Sequence, residues 1–251
     1  MKAQYGLIGK NIEYSFSRNY FNKKFKDAKD SKSIYVNFDL NHISQFIEIF
    51  NQHSNITGLN VTIPYKQSVI PYLDSLSKKA KKIGAVNTIR ITKNGNLKGY
   101  NTDWYGFYHS LKPLLNNKIH KKALILGTGG ASKAIEYALQ KLSISYLFVS
   151  RQEQEGAITY NDLTPQVMQE YTIIINTTPL GAFPDTEQYP LLPYAYISKN
   201  HIAYDLIYNP EKTVFLHQAE QQGAIIKNGY EMLILQAEKA WKIWNKAFSK
   251  D

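Results

Sequence analysis

The strand-like run Ala123-Leu124-Ile125-Leu126 passes directly into Gly127-Thr128-Gly129-Gly130-Ala131-Ser132, and a helical pattern follows with Ala131, Ala134, Ile135, Ala138 and Leu142 on one face. A buried strand, a glycine turn and an amphipathic helix in that order open a parallel β-α-β unit. Tyr146-Leu147-Phe148-Val149, Ile173-Ile174-Ile175 and Ile202-Ala203-Tyr204 read as further apolar strands with helix-length segments between them. Strands spaced in that way build a parallel sheet with helices on both faces. Gly127 and Gly129 fill the first two positions of the G-x-G-x-x-G pattern, while Ser132 stands at the third. The first glycine permits the tight turn, and the second lets a pyrophosphate approach backbone N–H groups at the positive helix end. Gly130 and Ala131 keep the rest of the loop small. A plain strand-to-helix turn is the structural alternative; the flanking pattern favours a Rossmann-type, dinucleotide-binding domain.

The end of the following strand selects the cofactor. NAD enzymes place an acidic residue there, about 20 positions on, to bind the ribose 2′-hydroxyl. This chain has Ser150-Arg151 instead. An arginine meets a 2′-phosphate through charge-assisted, often bidentate hydrogen bonds, so NADP is expected. The alternative is an ordinary exposed loop arginine near Glu153 and Glu155.

The first hundred residues follow a different pattern. Tyr5-Gly6-Leu7-Ile8 reads as a strand, and Ser17 can N-cap a helix whose apolar side includes Phe21, Phe25 and Ala28. Ile34 to Phe38 alternates as a strand, and Ile43, Phe46, Ile47 and Phe50 recur at helical spacing. Leu59 to Ile63 is a strand stopped by Pro64. Asn94-Gly95, between Val86–Thr92 and Leu97–Tyr100, is a hairpin signal. The C-terminal stretch from Tyr230 to Phe248 reads as one long helix, whose Trp241 and Trp244 are expected to pack against the first half. The fold class is therefore α/β with two domains. An open mixed α/β domain spans 1–101 and is completed by the helix 230–251; a parallel-sheet domain spans 103–226.

Composition narrows the function classes. The chain has 251 residues, enough for two modest cores, and 43% are hydrophobic, as in a globular protein. Cysteine is absent, which removes disulfides, thiolate nucleophiles and Cys-bearing zinc sites. His42, His53, His109, His120, His201 and His217 show no metal-ligand spacing, so no metal is expected. The net charge of +10 comes from dispersed lysines, without a block of like charge or an aromatic-interleaved RNA motif. It reads as a solvated surface rather than a nucleic-acid footprint. No apolar run is long enough to span a bilayer, and Met1 to Tyr5 carries no secretory h-region. A cytoplasmic enzyme acting on a small molecule, without nucleic-acid or membrane partners, is the expectation.

Two charged residues stand in distinctive phrases. Lys66 closes Asn60-Val61-Thr62-Ile63-Pro64-Tyr65-Lys66, and Asp103 closes Gly99-Tyr100-Asn101-Thr102-Asp103. Taken singly, they read as a solvated lysine and a helix cap. Further phrases follow in order: Gly84-Ala85-Val86-Asn87-Thr88, Gly127 to Ala131, Asn176-Thr177-Thr178-Pro179-Leu180-Gly181, Tyr204-Asp205-Leu206-Ile207-Tyr208-Asn209-Pro210, Asn228-Gly229-Tyr230-Glu231-Met232-Leu233 and Gln236-Ala237. Together they span essentially the whole chain, and the series closely resembles the shikimate dehydrogenase family.

The resemblance implies reversible, NADPH-dependent reduction of 3-dehydroshikimate to shikimate. It implies Lys66 and Asp103 as the catalytic pair. Ser15 and Ser17 match the serines that hold the substrate carboxylate, Thr62, Asn87 and Gln236 match residues around the ring hydroxyls, and Tyr208 matches a tyrosine near the carboxylate. Gly127, Gly129, Gly130 and Ala131 would cradle the cofactor, with Ser150 and Arg151 at the 2′-phosphate. Thr177, Pro179 and Gly181 would border its ribose path, and Gly229 and Met232 would approach the nicotinamide; for Met232 a plain core position is the alternative. Tyr14 and Arg18 depart from the family pattern, where histidine and proline are common. A second basic residue after Arg151 is missing, since Gln152-Glu153-Gln154-Glu155 follows. The rival readings are a quinate/shikimate dehydrogenase of broader specificity and a non-catalytic metabolite- or nucleotide-sensing module on the same fold. A monomer or a homodimer fits either enzyme reading.

Overall fold

A computed structural model describes residues 2–13 and 15–246. Tyr14 and Phe248, on which two of the sequence expectations fall, lie outside the described residues. The chain divides into two compact units, Met1–Thr102 with Ala237–Asp251, and Asp103–Gln236.

The first unit is built on a six-stranded mixed sheet. Its strands are β1 (Ala3–Gly9), β2 (Ser33–Asp39), β3 (Ile56–Val61), β4 (Ser75–Leu76), β5 (Thr88–Ile91) and β6 (Leu97–Tyr100), in the order β2-β1-β3-β5-β6-β4. The pairs β1–β2 and β1–β3 are parallel, while β3–β5 and the hairpin β5–β6 are antiparallel. Helix α1 (Phe16–Asp27) packs Phe21 and Phe25 inward, and α2 (Phe46–Gln52) and α3 (Lys78–Ile83) complete the helical part. Ser15 caps α1, its hydroxyl oxygen accepting the Arg18 N–H at 3.5 Å, whereas Ser17 lies inside the helix. The cap falls at Ser15 rather than at Ser17 because Ser15 holds the extended backbone an N-cap needs (φ −61°, ψ 125°). In α2, Phe46 and Ile49 are buried, and Ile43 and Phe50 pack against the same core; of the expected stripe only Ile47, 48% exposed, turns outward. Strand β3 ends at Val61 and Ile63 is exposed, since the turn to Pro64 has already begun.

The second unit is an all-parallel sheet of β7 (Lys122–Leu126), β8 (Ser145–Ser150), β9 (Ala157–Thr159), β10 (Ile173–Asn176), β11 (Ile202–Asp205) and β12 (Ile225–Lys227). Its order is β12-β11-β10-β7-β8-β9, so the strand order reverses between β7 and β10. In an open α/β sheet that reversal splays two loops apart at the carboxyl ends of the strands, where ligands bind. Strands β7, β10 and β11 are almost wholly apolar and buried, as a sheet covered on both faces requires. The helices are α4 (Asp103–Leu111), α5 (Gly130–Lys141), α6 (Pro165–Glu170) and α7 (Val214–Gln221).

Helix α8 (Tyr230–Trp244) starts in the second unit and ends in the first. Trp241 and Trp244 lie 5.4 and 5.1 Å from the Tyr5 ring, and the Trp244 indole N–H donates to the Ile89 carbonyl at 3.0 Å. The tryptophans thus complete the first unit's aromatic core, as the sequence indicated. Among the described residues, no helix is long and apolar enough to cross a membrane, and no His, Asp and Glu cluster could hold a metal ion.

Candidate active site

In the first unit, Ser15 and Ser17 stand at the start of α1, and Thr62, Lys66 and Asn87 lie on the stretch between β3 and β5. Thr62 follows β3 and its N–H donates to the Ile8 carbonyl at 2.8 Å. Lys66 follows the cis Ile63–Pro64 bond in a turn tied by Tyr65, whose hydroxyl donates to the Leu40 carbonyl at 2.6 Å. The Lys66 carbonyl accepts the Val86 N–H at 2.7 Å, which joins the lysine loop to the segment carrying Asn87.

Asn87 is buried within a polar lattice. Its Oδ1 accepts the Thr102 N–H at 2.7 Å, and its Nδ2 donates to the Thr102 hydroxyl at 2.9 Å. Because a main-chain N–H can only donate, this bond fixes which end of the amide points at Thr102. The Thr88 hydroxyl donates to the same Oδ1 at 3.1 Å and accepts from Asn60 Nδ2 at 3.3 Å. Asn60 Oδ1 in turn accepts the Tyr35 hydroxyl at 2.8 Å. Burial pushes the Tyr35 hydroxyl well above its ordinary pKa, against a lowering bond with the Ser17 hydroxyl. The lattice therefore runs from Ser17 in α1 to Thr102, the residue before Asp103. Asp103 itself is 7% exposed, in the first turn of α4.

The second unit carries the remaining residues in three groups. Gly127 (φ +95°) makes the turn out of β7, and a side chain there would press on Thr177 and Thr178. Gly129 caps α5 without any side-chain bond, and a Cβ built on it meets nothing within 4 Å. The helix end with Gly130 and Ala131 thus offers an open, positive cradle that fits a pyrophosphate. The Ser132 hydroxyl donates to the Gly129 carbonyl at 2.7 Å, so this departure at the third glycine position braces the loop. Ser150 ends β8 beside it, and Arg151 is exposed one residue on; burial raises the Tyr160 hydroxyl's pKa, and the nearby Arg151 charge only partly offsets that rise. These features fit the 2′-phosphate of NADP.

Thr177 sits at the strand-order reversal, its hydroxyl donating to the Leu126 carbonyl at 2.6 Å. Pro179 is exposed, and Gly181 (φ +97°) is buried against Thr213. Tyr208 is half-buried, and Gly229 lies so close to Leu206 that a Cβ would collide with its carbonyl. Met232 is 8% exposed in a core with Phe107 and Tyr204, the packing position that was its alternative reading. Gln236 is buried in α8, with Nε2 donating to the Leu233 carbonyl at 3.0 Å.

Sequence reasoning quoted Asn176 and Asp205 within phrases without giving them a role. They are register partners at the ends of β10 and β11, with Asn176 Nδ2 donating to Asp205 Oδ1 at 3.1 Å. Burial pushes Asp205 up to about 7 although three donors pull it down. Tyr35 was missed as well. A polar residue in an otherwise apolar strand, as Asn176 is in Ile173–Asn176, is the signal that could have drawn attention to such positions.

Residues 7–89 match the family described as shikimate dehydrogenase substrate binding domain. The shikimate dehydrogenase (NADP(+)) of Caldicellulosiruptor bescii is 35% identical, over 95% of this chain and 88% of its own length. The crystal structure of shikimate dehydrogenase from Aquifex aeolicus matches with a TM-score of 0.86 at 34% identity, covering 97% of this chain and 92% of the other. The Thermus thermophilus shikimate 5-dehydrogenase solved with NADP(H) and shikimate matches with a TM-score of 0.83 at 27% identity, covering 98% and 94%.

Proposed function

The chain belongs to the shikimate dehydrogenase family, and from that premise we propose that it catalyses the reversible, NADPH-dependent reduction of 3-dehydroshikimate to shikimate in aromatic amino acid biosynthesis. The observation that carries this reading is the lacing of Lys66, Asn87 and Thr102. The Val86 N–H ties the lysine loop to the segment carrying Asn87, whose amide in turn holds Thr102, the residue before Asp103.

When bound, NADPH supplies the hydride that reduces the ring ketone carbon. The Lys66 ammonium stabilises the developing alkoxide and delivers the proton to that oxygen. Asp103 orients Lys66 and takes hydrogen bonds from substrate hydroxyls; a close pair of this kind titrates as a unit. Ser15 Oγ accepts from Arg18 N–H, which leaves its own proton to donate to the substrate carboxylate. Ser17 supports the same carboxylate, with Tyr208 nearby. Thr62, Asn87 and Gln236 read the ring hydroxyls with neutral groups that do not compete for the transferred proton.

Gly127, Gly129, Gly130 and Ala131 receive the pyrophosphate, Ser150 and Arg151 the 2′-phosphate. Thr177, Pro179 and Gly181 line the ribose path, and Gly229 and Met232 shape the start of α8 beside the nicotinamide. Residues 1–101, completed by the C-terminal segment 230–251, form the substrate half, and 103–226 the cofactor half. The enzyme works in the cytoplasm as a monomer or homodimer.

A spectrophotometric assay of shikimate and quinate oxidation with NADP and with NAD tests the reading. Shikimate with NADP is expected to be the fastest pair. No reduced cofactor from shikimate would sink the proposal, and quinate with NAD as the best pair would replace it.

A further inference from the structure

Asp205 is fully buried at the end of β11 and lies outside the catalytic scheme above. Its oxygens receive three donors from three chain segments. Oδ1 accepts Asn176 Nδ2 at 3.1 Å and the Ile207 N–H at 3.0 Å, while Oδ2 accepts the Thr213 hydroxyl at 2.7 Å.

The direction of each bond follows from the main chain. Asn176 Oδ1 accepts the Thr178 N–H at 3.0 Å and its hydroxyl at 2.6 Å, so Nδ2 is the end turned toward Asp205. The same Nδ2 donates to the Leu180 carbonyl at 3.3 Å, which can only accept. The Thr213 oxygen caps α7 by accepting the Leu216 N–H, which leaves its proton for Asp205. The site is thus built for an acceptor of three bonds, which a carboxylate supplies.

Two of the three segments carry residues of the proposed ligand site, and the third packs against one of them. Asn176 leads into Thr177, Pro179 and Gly181. Ile207 precedes Tyr208, and its carbonyl accepts the Gly229 N–H at 2.9 Å. Thr213 touches the position where a Gly181 side chain would stand, at 3.4 Å. A single buried carboxylate therefore sets the mutual placement of loops that leave two adjacent strands next to the strand-order reversal.

We propose that Asp205 is a positioning residue for NADP, acting through the Asn176 amide and the Thr213 hydroxyl to hold the loops 177–181 and 206–208 in their cofactor-binding arrangement. This rests on the reading that the second unit holds NADP. Loss of a buried hydrogen bond lowers binding when the held loops relax, whereas Lys66 and Asp103 are untouched.

The test uses the full-length protein, with NADPH binding measured directly by fluorescence and steady-state kinetics measured in parallel. Asp205→Asn is expected to raise the NADPH Kd and the NADP KM by about tenfold, with kcat within about twofold. Thr213→Val, which deletes one donor, is expected to raise them about three- to fivefold, and Thr213→Ser, which keeps it, to restore wild-type binding. If Asp205→Asn does not fold, the Thr213 pair carries the decision. Wild-type NADPH affinity in folded Asp205→Asn, a kcat loss without a KM change, or equal impairment in the two Thr213 variants would overturn the proposal. Failure of the activity reading is seen separately, as wild-type protein that binds NADPH but does not oxidise shikimate.

Discussion

At the carboxyl edge of the mixed sheet, the loops around Lys66 are laced by neutral groups. Tyr35, Asn60, Thr88, Asn87 and Thr102 pass hydrogen bonds from one amide or hydroxyl to the next. Asp39 adds a carboxylate there, accepting the Asn11 and Ile12 N–H groups at 2.9 and 3.1 Å, but it stands exposed at the rim. At the same edge of the parallel sheet, the loops hang instead from the buried carboxylate of Asp205. The contrast follows from the chemistry proposed for each. Lys66 is already proposed to titrate together with the buried Asp103, and a further acid in the scaffold around them would add a third coupled titration. Where only a cofactor is held, a carboxylate can bind three donors more strongly than a neutral acceptor.

Substitutions that strike one edge and spare the other test this contrast. The largest effect is expected for Lys66→Ala, which should lower kcat by about 10²–10⁴ while NADPH affinity stays at wild type. Near-normal turnover in that variant would remove the lysine from the mechanism. Arg151→Ala strikes the cofactor side alone. The KM for NADP should rise on the order of 30-fold with little change for NAD, and equal changes with both cofactors would refute the 2′-phosphate role. Ser15→Ala should raise the shikimate KM about fivefold and leave the NADP KM unchanged; the reverse pattern would place Ser15 outside the carboxylate clamp.

The smallest effect concerns stability in acid. His120 is buried before β7, its Nδ1 accepting the Asn116 N–H at 2.8 Å, and desolvation lowers its pKa against the raising bond with the Asn200 carbonyl. The unfolded state then binds the proton first as pH falls. His120 should support the fold fully above about pH 6.5, and that support should fade as pH drops toward its lowered folded value. Urea unfolding at pH 7.5 and 5.5 should show a smaller acid loss in His120→Gln than in wild type; equal losses would contradict the assignment.

Much of this architecture is legible in the chain itself. The strand, glycine turn and helix around Gly127 announce a parallel unit because backbone geometry and burial act within a few residues. Trp241 and Trp244 point to a helix that must bury its aromatic side. The short strands β4, β9 and β12 escape notice, since two or three half-exposed residues carry no periodicity. The cap at Ser15 rather than Ser17 depends on one residue's backbone angles, and the exposure of Ile47 on how α2 meets its sheet. Among the site residues, the phrases locate individual positions, but Tyr35 with Asn60 and Asn176 with Asp205 are 25 and 29 residues apart. Such pairs are set by strand register, which no local pattern encodes.

The path of α8 has a consequence for how the protein is made. Ala237, Ala240 and Trp244 belong to the same core as Tyr5, Phe21 and Tyr35, so the unit that leaves the ribosome first lacks part of its interior until the end of α8 emerges. The second unit, complete at Gln236, has all its strands in hand before then. Domains ordinarily close in the order of synthesis. Here order of translation and order of closure run in opposite directions, and the nascent first unit must wait with Phe21 and Tyr35 short of their indole partner.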